Sequence, residues 1–211
     1  RLYAEDPYRN LLPSTARLTH YRQPAEERDA DHAVRNDTGV YEGGEISTFY
    51  DPMIAKLCSW APDRMAAIGV MQEALDQFEV EGVGNNIPFL SAVMAQDRFR
   101  EGRLTTGYIA EEFPEGFTGV ELSPVELTHL AALACVSAYA LDTRSHTGPE
   151  KRRAVLIGEH RWDFEVRADG IEYWLTDLAG KKLLVETGWK PGMSLAIARV
   201  DGELHHVRID R

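Results

Sequence analysis

Two cysteines in 211 residues, Cys58 and Cys135, leave no room for a disulfide scaffold. Both sit beside apolar neighbours and neither has metal-ligand spacing around it, so buried free thiols are expected. Positive charge is also short. Against 34 acidic residues stand 23 Lys and Arg, a net charge of −11. That excludes non-specific nucleic-acid binding and docking on anionic membranes, and leaves the charge as a solubility reserve. No apolar run approaches the roughly 20 residues a bilayer needs. The opening RLYAEDPYRN has no signal-peptide pattern and reads as the interior of a domain, so a longer polypeptide is expected. No internal repeat or low-complexity tract is present. The seven histidines are scattered, and His205-His206 is the sole adjacent pair. Neighbours on a strand point to opposite faces, so no metal site is expected there. No Ser/His/Asp or Cys/His grouping is readable.

What remains is a chain that is 44% hydrophobic, enough for one large core or two small ones. Up to about Gly119, strand-like pieces are expected at Leu18 to Tyr21 and Gly39 to Tyr41, with a charged surface loop from Gln23 to His32. Met65, Ile68, Met71, Leu75 and Phe78 recur at spacings of three and four, the stripe of an amphipathic helix with Asp63 as its cap. A second helix is expected from Ile87 to Gln96, with Phe89, Leu90, Val93 and Met94 inward. Gly82-Val83-Gly84-Asn85-Asn86 suggests a phosphate loop, but no Gly-Lys-Ser/Thr follows. A helix C-cap followed by an Asn N-cap is the better reading.

Ser123-Pro124-Val125-Glu126 is a capping box with proline at the first helical position. The helix it opens runs to about Leu141 and is apolar on nearly every face, so it must be buried all round. About nineteen residues reach only about 28 Å, and Glu126, His129 and Asp142 interrupt it, which favours wrapping by protein over a membrane. After a polar loop from Arg144 to Arg153 the pattern switches to period two. Trp162, Phe164 and Val166 alternate with charges, and Asp169-Gly170, Ala179-Gly180 and Asp201-Gly202 mark turns. The last strand is expected over Leu204 to Ile209. Successive hairpins favour an antiparallel meander curled around the helix.

Arg35, in HAVRNDTGVYEGG, is the first candidate for chemistry, because a guanidinium stays charged and presents a planar fork of donors. Such a cation stabilises an enolate-like oxygen; a surface ion pair with Asp37 or Glu42 is the competing role. Asp51 and Lys56, in the run Tyr50, Asp51, Met53, Lys56, either bear on catalysis or support the site, Asp51 by capping a short helix begun by Pro52. Glu42 and Glu45 form a possible acid–base pair, though their glycine-rich setting suggests an exposed turn. Glu5 and Asp6 read as a cap or salt bridge.

Residues 1 to about 112 resemble the C-terminal domain of biotin carboxylases. The motifs RLYAEDP, LPS, VRNDTGVYEGGEIS, YDPMIAKL, DRMAAI and GVGNNIPFL carry the resemblance. FPEGFTGVELSPVELTHLAALACVSAYAL, followed by WDFEV, is similar to the alpha subunits of propionyl-CoA carboxylases. The resemblance implies an α+β chain in two parts. Residues 1–119 would be the biotin carboxylase C-terminal domain, a mixed sheet with helices. Residues 120–211 would be a BT-type docking domain, a long helix wrapped by an antiparallel β-barrel or half-barrel. It further implies ATP-dependent carboxylation of biotin with bicarbonate, using Mg or Mn, and transfer to propionyl-CoA to give methylmalonyl-CoA. Arg35 would bind biotin and bicarbonate and be the catalytic residue here. For Glu5 and Asp6 the resemblance implies an alternative to the cap or salt bridge, the border of a nucleotide site. Most other binding groups, the metal ligands among them, would lie outside this chain, which holds neither a Gly-rich nucleotide loop nor a biotin-accepting Met-Lys-Met. Trp60 and Arg64 stand where the family has a subunit contact. The implied partners are a carboxyltransferase beta subunit, through residues 120–211, and the biotin carrier domain of the same polypeptide. The implied location is bacterial cytoplasm, or mitochondrial matrix in a eukaryote. The alternatives are a 3-methylcrotonyl-CoA carboxylase alpha subunit and a non-catalytic docking module.

Overall fold

A computed structural model of the chain describes residues 1–47, 49–142 and 151–209. It divides into two compact units, Arg1–Val120 and Glu121–Arg211.

The first unit is built on strands β1 (Leu2–Tyr3), β2 (Glu5–Asp6), β3 (Leu12–Pro13), β4 (His20–Arg22), β5 (Glu27–Arg28), β6 (Ala33–Thr38), β7 (Met53–Trp60) and β8 (Glu79–Glu81). Its helices are α1 (Arg64–Asp76), α2 (Ile87–Ala95), α3 (Asp97–Arg100) and α4 (Tyr108–Glu112). A four-stranded sheet has the order β1-β7-β6-β5, and β2-β3 and β4-β8 form two smaller ribbons. Every pairing is antiparallel, so the mixed sheet implied by the resemblance is not found among the described residues. Among the described residues no helix connects β5 to β6 or β6 to β7, and a helix is the usual crossover between parallel neighbours.

The α1 stripe forms as its spacing requires. Asp63 caps it, accepting from the Ala66 N–H at 2.9 Å, and Ile68, Ala74 and Leu75 are buried. Met65, expected inward, is exposed. Phe78 lies beyond the helix end and is fully buried in the main core with Leu2, Leu18, Ile54 and Leu75. Other local expectations yield to tertiary bonds. Leu18 is buried but not in a strand; it exchanges backbone hydrogen bonds with Gly43 and Gly44. Residues 39–41 are irregular and lead into a turn at Glu42–Gly43, and the strand falls earlier, at β6. The charged Gln23–His32 segment contains β5, recruited by pairing with β6.

Gly82 does not end a helix. It follows β8 with φ +94°, and a Cβ there would meet the Arg17 carbonyl oxygen at 2.2 Å. Nor does the Asn86 side chain cap α2. Its Oδ1 accepts from the Tyr3 N–H at 2.9 Å and its Nδ2 donates to the Arg1 carbonyl at 3.3 Å, tying α2 to β1.

The second unit carries α5 (Pro124–Asp142) and strands β9 (Arg152–Ile157), β10 (His160–Asp169), β11 (Glu172–Asp177), β12 (Lys182–Thr187), β13 (Leu195–Val200) and β14 (Glu203–Arg208). The capping box is present: the Ser123 N–H donates to Glu126 at 2.7 Å and the Glu126 N–H to Ser123 Oγ at 3.3 Å. Most of the expected polar loop from Arg144 to Arg153 lies outside the described residues, while Arg152 and Arg153 open β9. The six strands form an antiparallel meander in chain order, open between β14 and β9. The tight turn at Asp201-Gly202 has φ +48° and +86°, the left-handed pair that suits a two-residue hairpin.

By length and composition α5 could cross a membrane. Instead it packs on β9, β10, β12 and β13, which requires the sheet to curl across it. Ala131, Ala132, Cys135 and Val136 meet Phe164, Val166, Leu175, Val185 and Val200 in one core. The helix is not buried all round. Leu127, Leu130, Ala134, Ala138 and Leu141 form a partly exposed stripe along it, because an open half-barrel covers only part of a helix circumference.

Candidate functional site

β6 and β7 pair in antiparallel register, Ala33 opposite Trp60, Arg35 opposite Cys58 and Asp37 opposite Lys56. Directly paired residues project from the same side. Val34, Asn36, Leu57 and Ser59 therefore turn to α1, where Ser59 Oγ donates to the Ala67 carbonyl at 2.9 Å. The other face gathers Arg35, Asp37, Lys56, Cys58 and Trp60.

The Arg35 side chain is 68% exposed, and Asp37 holds it along one edge. Nε lies 3.1 Å from Asp37 Oδ1, and Nη2 donates to Oδ2 at 3.2 Å and to Cys58 Sγ at 3.9 Å. Nη1 has no hydrogen-bond partner among the described residues. The Asp37 charge, then Cys58, raises the guanidinium pKa further, so the group is a permanent cation. Of the two ion-pair partners considered from sequence, the structure selects Asp37. A cleft of about 680 Å³ opens beside it, lined in part by Glu26, Arg28, Ala33, Cys58, Ser59 and Trp60. A fixed cation with a free donor edge suits an incoming anionic oxygen. Asp37, engaged by Arg35, is not free to hold a divalent cation.

The other candidates are placed as follows. Lys56 shares the Arg35 face and adds positive potential. Asp51 caps no helix: Met53 onward is strand, because Ile54, Ala55 and Leu57 are buried in a segment paired on both sides. The charge of Asp51 bears instead on Glu5, whose pKa is raised by burial first and Asp51 second. Asp6 caps a short 3-10 helix, accepting from the Tyr8 N–H at 3.0 Å. Glu42 accepts from the Tyr21 N–H at 3.1 Å and meets His20 Nδ1 at 2.9 Å. The Tyr21 bond, then His20, lowers its pKa, so Glu42 is held as a carboxylate. Glu45 lies at an isolated bridge opposite Arg17. Tyr50 and Phe49 are among the most exposed large side chains. Trp60 is half exposed. The Arg64 guanidinium donates to the Phe99 and Arg100 carbonyls and lies over the Phe99 ring. Cys58 was not foreseen beside Arg35; the β6–β7 register is the signal that would have found it.

Residues 1–111 match the family described as biotin carboxylase C-terminal domain. Over 96% of its length the chain is 47% identical to a propionyl-CoA carboxylase alpha chain of Ruegeria pomeroyi, covering 33% of that protein. It is 33% identical to the mitochondrial propionyl-CoA carboxylase alpha chain of Rattus norvegicus, over 96% of this chain and 29% of that one. The chain thus spans about a third of the length of the curated relatives it matches. Among solved structures, a complete multifunctional pyruvate carboxylase from Rhizobium etli is similar at TM-score 0.52 and 31% identity, over 76% of this chain and 15% of that one. The match over more than half of the chain places it in the biotin carboxylase C-terminal domain family.

Proposed function

We propose that the chain is part of the alpha subunit of a biotin-dependent acyl-CoA carboxylase that carboxylates biotin with bicarbonate at the expense of ATP, for transfer to propionyl-CoA giving methylmalonyl-CoA. The observation that carries the chemistry is the Arg35 guanidinium, oriented by Asp37 and Cys58 with its Nη1 edge open. The propionyl-CoA assignment is supported by the 47% identity along nearly the whole chain.

Biotin, when bound, would supply the ureido nitrogen that takes the carboxyl group. Arg35 would hold the ureido oxygen through its open Nη1 edge and stabilise negative charge there without reorganisation. Its permanent charge makes it an electrostatic stabiliser and not a proton donor. Asp37 limits the guanidinium to one orientation, and Lys56 raises the local potential for bicarbonate. ATP and its Mg or Mn ion are assigned to other parts of the longer polypeptide.

Residues 1–119 are assigned to the carboxylase half and residues 120–211 to a BT-type domain. In that domain the meander around α5 is a half-barrel that docks the carboxyltransferase beta subunit, with the biotin carrier domain in the same polypeptide. The proposed setting is bacterial cytoplasm, or the mitochondrial matrix in a eukaryote.

The test is fixation of labelled bicarbonate by the full polypeptide with its beta subunit, supplied with propionyl-CoA or methylcrotonyl-CoA. Arg35→Ala is expected to cut the propionyl-CoA-dependent rate by about 100- to 1000-fold, the loss typical of one oxyanion donor. Undiminished turnover in that variant would remove Arg35 from the mechanism. Preference for methylcrotonyl-CoA would move the substrate, and no fixation with either acyl-CoA would leave a docking module.

A further inference from the structure

Within the second unit, α5 and β14 bring together three side chains that lie far apart in sequence. His129 is buried near the start of α5, and its Nδ1 is 3.0 Å from Nε2 of His205 on β14. Glu203, two residues before His205 and so on the same face of β14, places Oε2 3.6 Å from His129 Nδ1. The rings meet edge to face, 5.0 Å between centroids and 81° between planes. The three donor atoms lie within 4.8 Å of one another.

A single hydrogen bond between the imidazoles uses one lone pair and leaves the convergence of a carboxylate on the same point unexplained. Two nitrogens each about 2.0–2.1 Å from one cation stand about 2.9–3.4 Å apart at octahedral or tetrahedral angles. The observed 3.0 Å falls in that range. We propose that His129 Nδ1, His205 Nε2 and a Glu203 carboxylate oxygen bind one divalent transition cation of the zinc class, pinning the edge strand β14 to α5. Two imidazoles and one carboxylate suit zinc or its neighbours, and not Mg or Ca, which prefer all-oxygen shells. Glu203 is exposed and provides the entry path, and the remaining position is left for water. No step of the proposed carboxylation uses this site.

The test is titration of the full polypeptide, stripped with a chelator, with Co²⁺ and then Zn²⁺. One equivalent of Co²⁺ is expected to give the visible absorption of a low-coordinate nitrogen site, and Zn²⁺ is expected to abolish it. Any other metal site is common to wild type and His205→Asn, so comparing their separately recorded spectra distinguishes this site from the rest. His205→Asn and His129→Gln are expected to lose the signal, and Glu203→Gln to weaken binding. Zn²⁺ is expected to raise the melting temperature of the wild type but not of His205→Asn. His32, flanked by Glu27 and Asp29 at 3.1 Å each, is the control, and His32→Asn is expected to change nothing. Should His129→Gln fail to fold, the two β14 variants carry the test, because their side chains sit at the rim. Absence of the cobalt signal in the wild type, its survival in His205→Asn, or its loss in His32→Asn would each overturn the proposal.

Discussion

Arg35 shows how one side chain acquires a direction. Its position on β6 puts Asp37 two residues away on the same face, and the register with β7 puts Cys58 opposite. The two cysteines then diverge in behaviour. Cys135 is fully buried in the second core, and burial pushes its pKa from 9.0 up to about 11, while Cys58 is only partly buried. A raised thiol pKa keeps the proton on the folded chain after the unfolded chain has lost it. The Cys135 contribution to stability is therefore complete below about pH 9 and lost as the pH rises toward about 11. At neutral pH a thiol-alkylating reagent is expected to label Cys58 and spare Cys135 until denaturant is added, as read by peptide mass mapping. Carboxylation is expected to fall in step with Cys58 labelling, since the added group sits against the Arg35 guanidinium. Labelling of both thiols at equal rates in the native state would contradict this.

Elements were legible where local chemistry sufficed. The Asp63 cap and three-four spacing specify α1, the Ser123/Glu126 box specifies the start of α5, and Asp201-Gly202 specifies its hairpin. They were misread where a partner strand decided the outcome. Asp51-Pro52 resembles a helix start, but β1 and β6 claim the following residues for the sheet. Gly82 resembles a helix C-cap, but the chain has by then formed β8 against β4. The glycine is required there for a different reason, a positive φ and the close approach of the Arg17–Thr19 backbone. Gly82→Ala is expected to destabilise the protein by at least about 1–3 kcal/mol through overpacking, with backbone strain added. The shift in the denaturation midpoint measures it, and a shift near zero would show that the backbone yields without cost.

At the scale of the whole molecule, each unit has its own apolar core, one around Phe78 and Leu75 and one around α5 and the meander. A lesion in the second core should therefore be felt by its own strands. Leu175 is fully buried beneath α5, and Leu175→Ala is expected to cost about 2–5 kcal/mol. Hydrogen exchange is expected to speed up across β10 to β13 while amides of β6 and β7 keep their protection. Equal loss of protection in both units would mean that they unfold together. The sheet stays open between β14 and β9, and the Leu127–Leu141 stripe of α5 is partly exposed. Alternation along each strand says which residues face inward, but not how far a sheet closes.

Caps, turn pairs and periodicity were enough to separate two halves and to expect a meander around α5, while the candidacy of Arg35 came from the motifs that resemble biotin carboxylases. These properties are encoded within a few residues of one another. The Asp37 clamp, the Cys58 contact, the conversion of the Asp51 segment to strand and the meeting of His129 with His205 across 76 positions required the folded chain. Strand register and helix-on-sheet packing set those distances, and both depend on contacts that a local window of sequence does not contain.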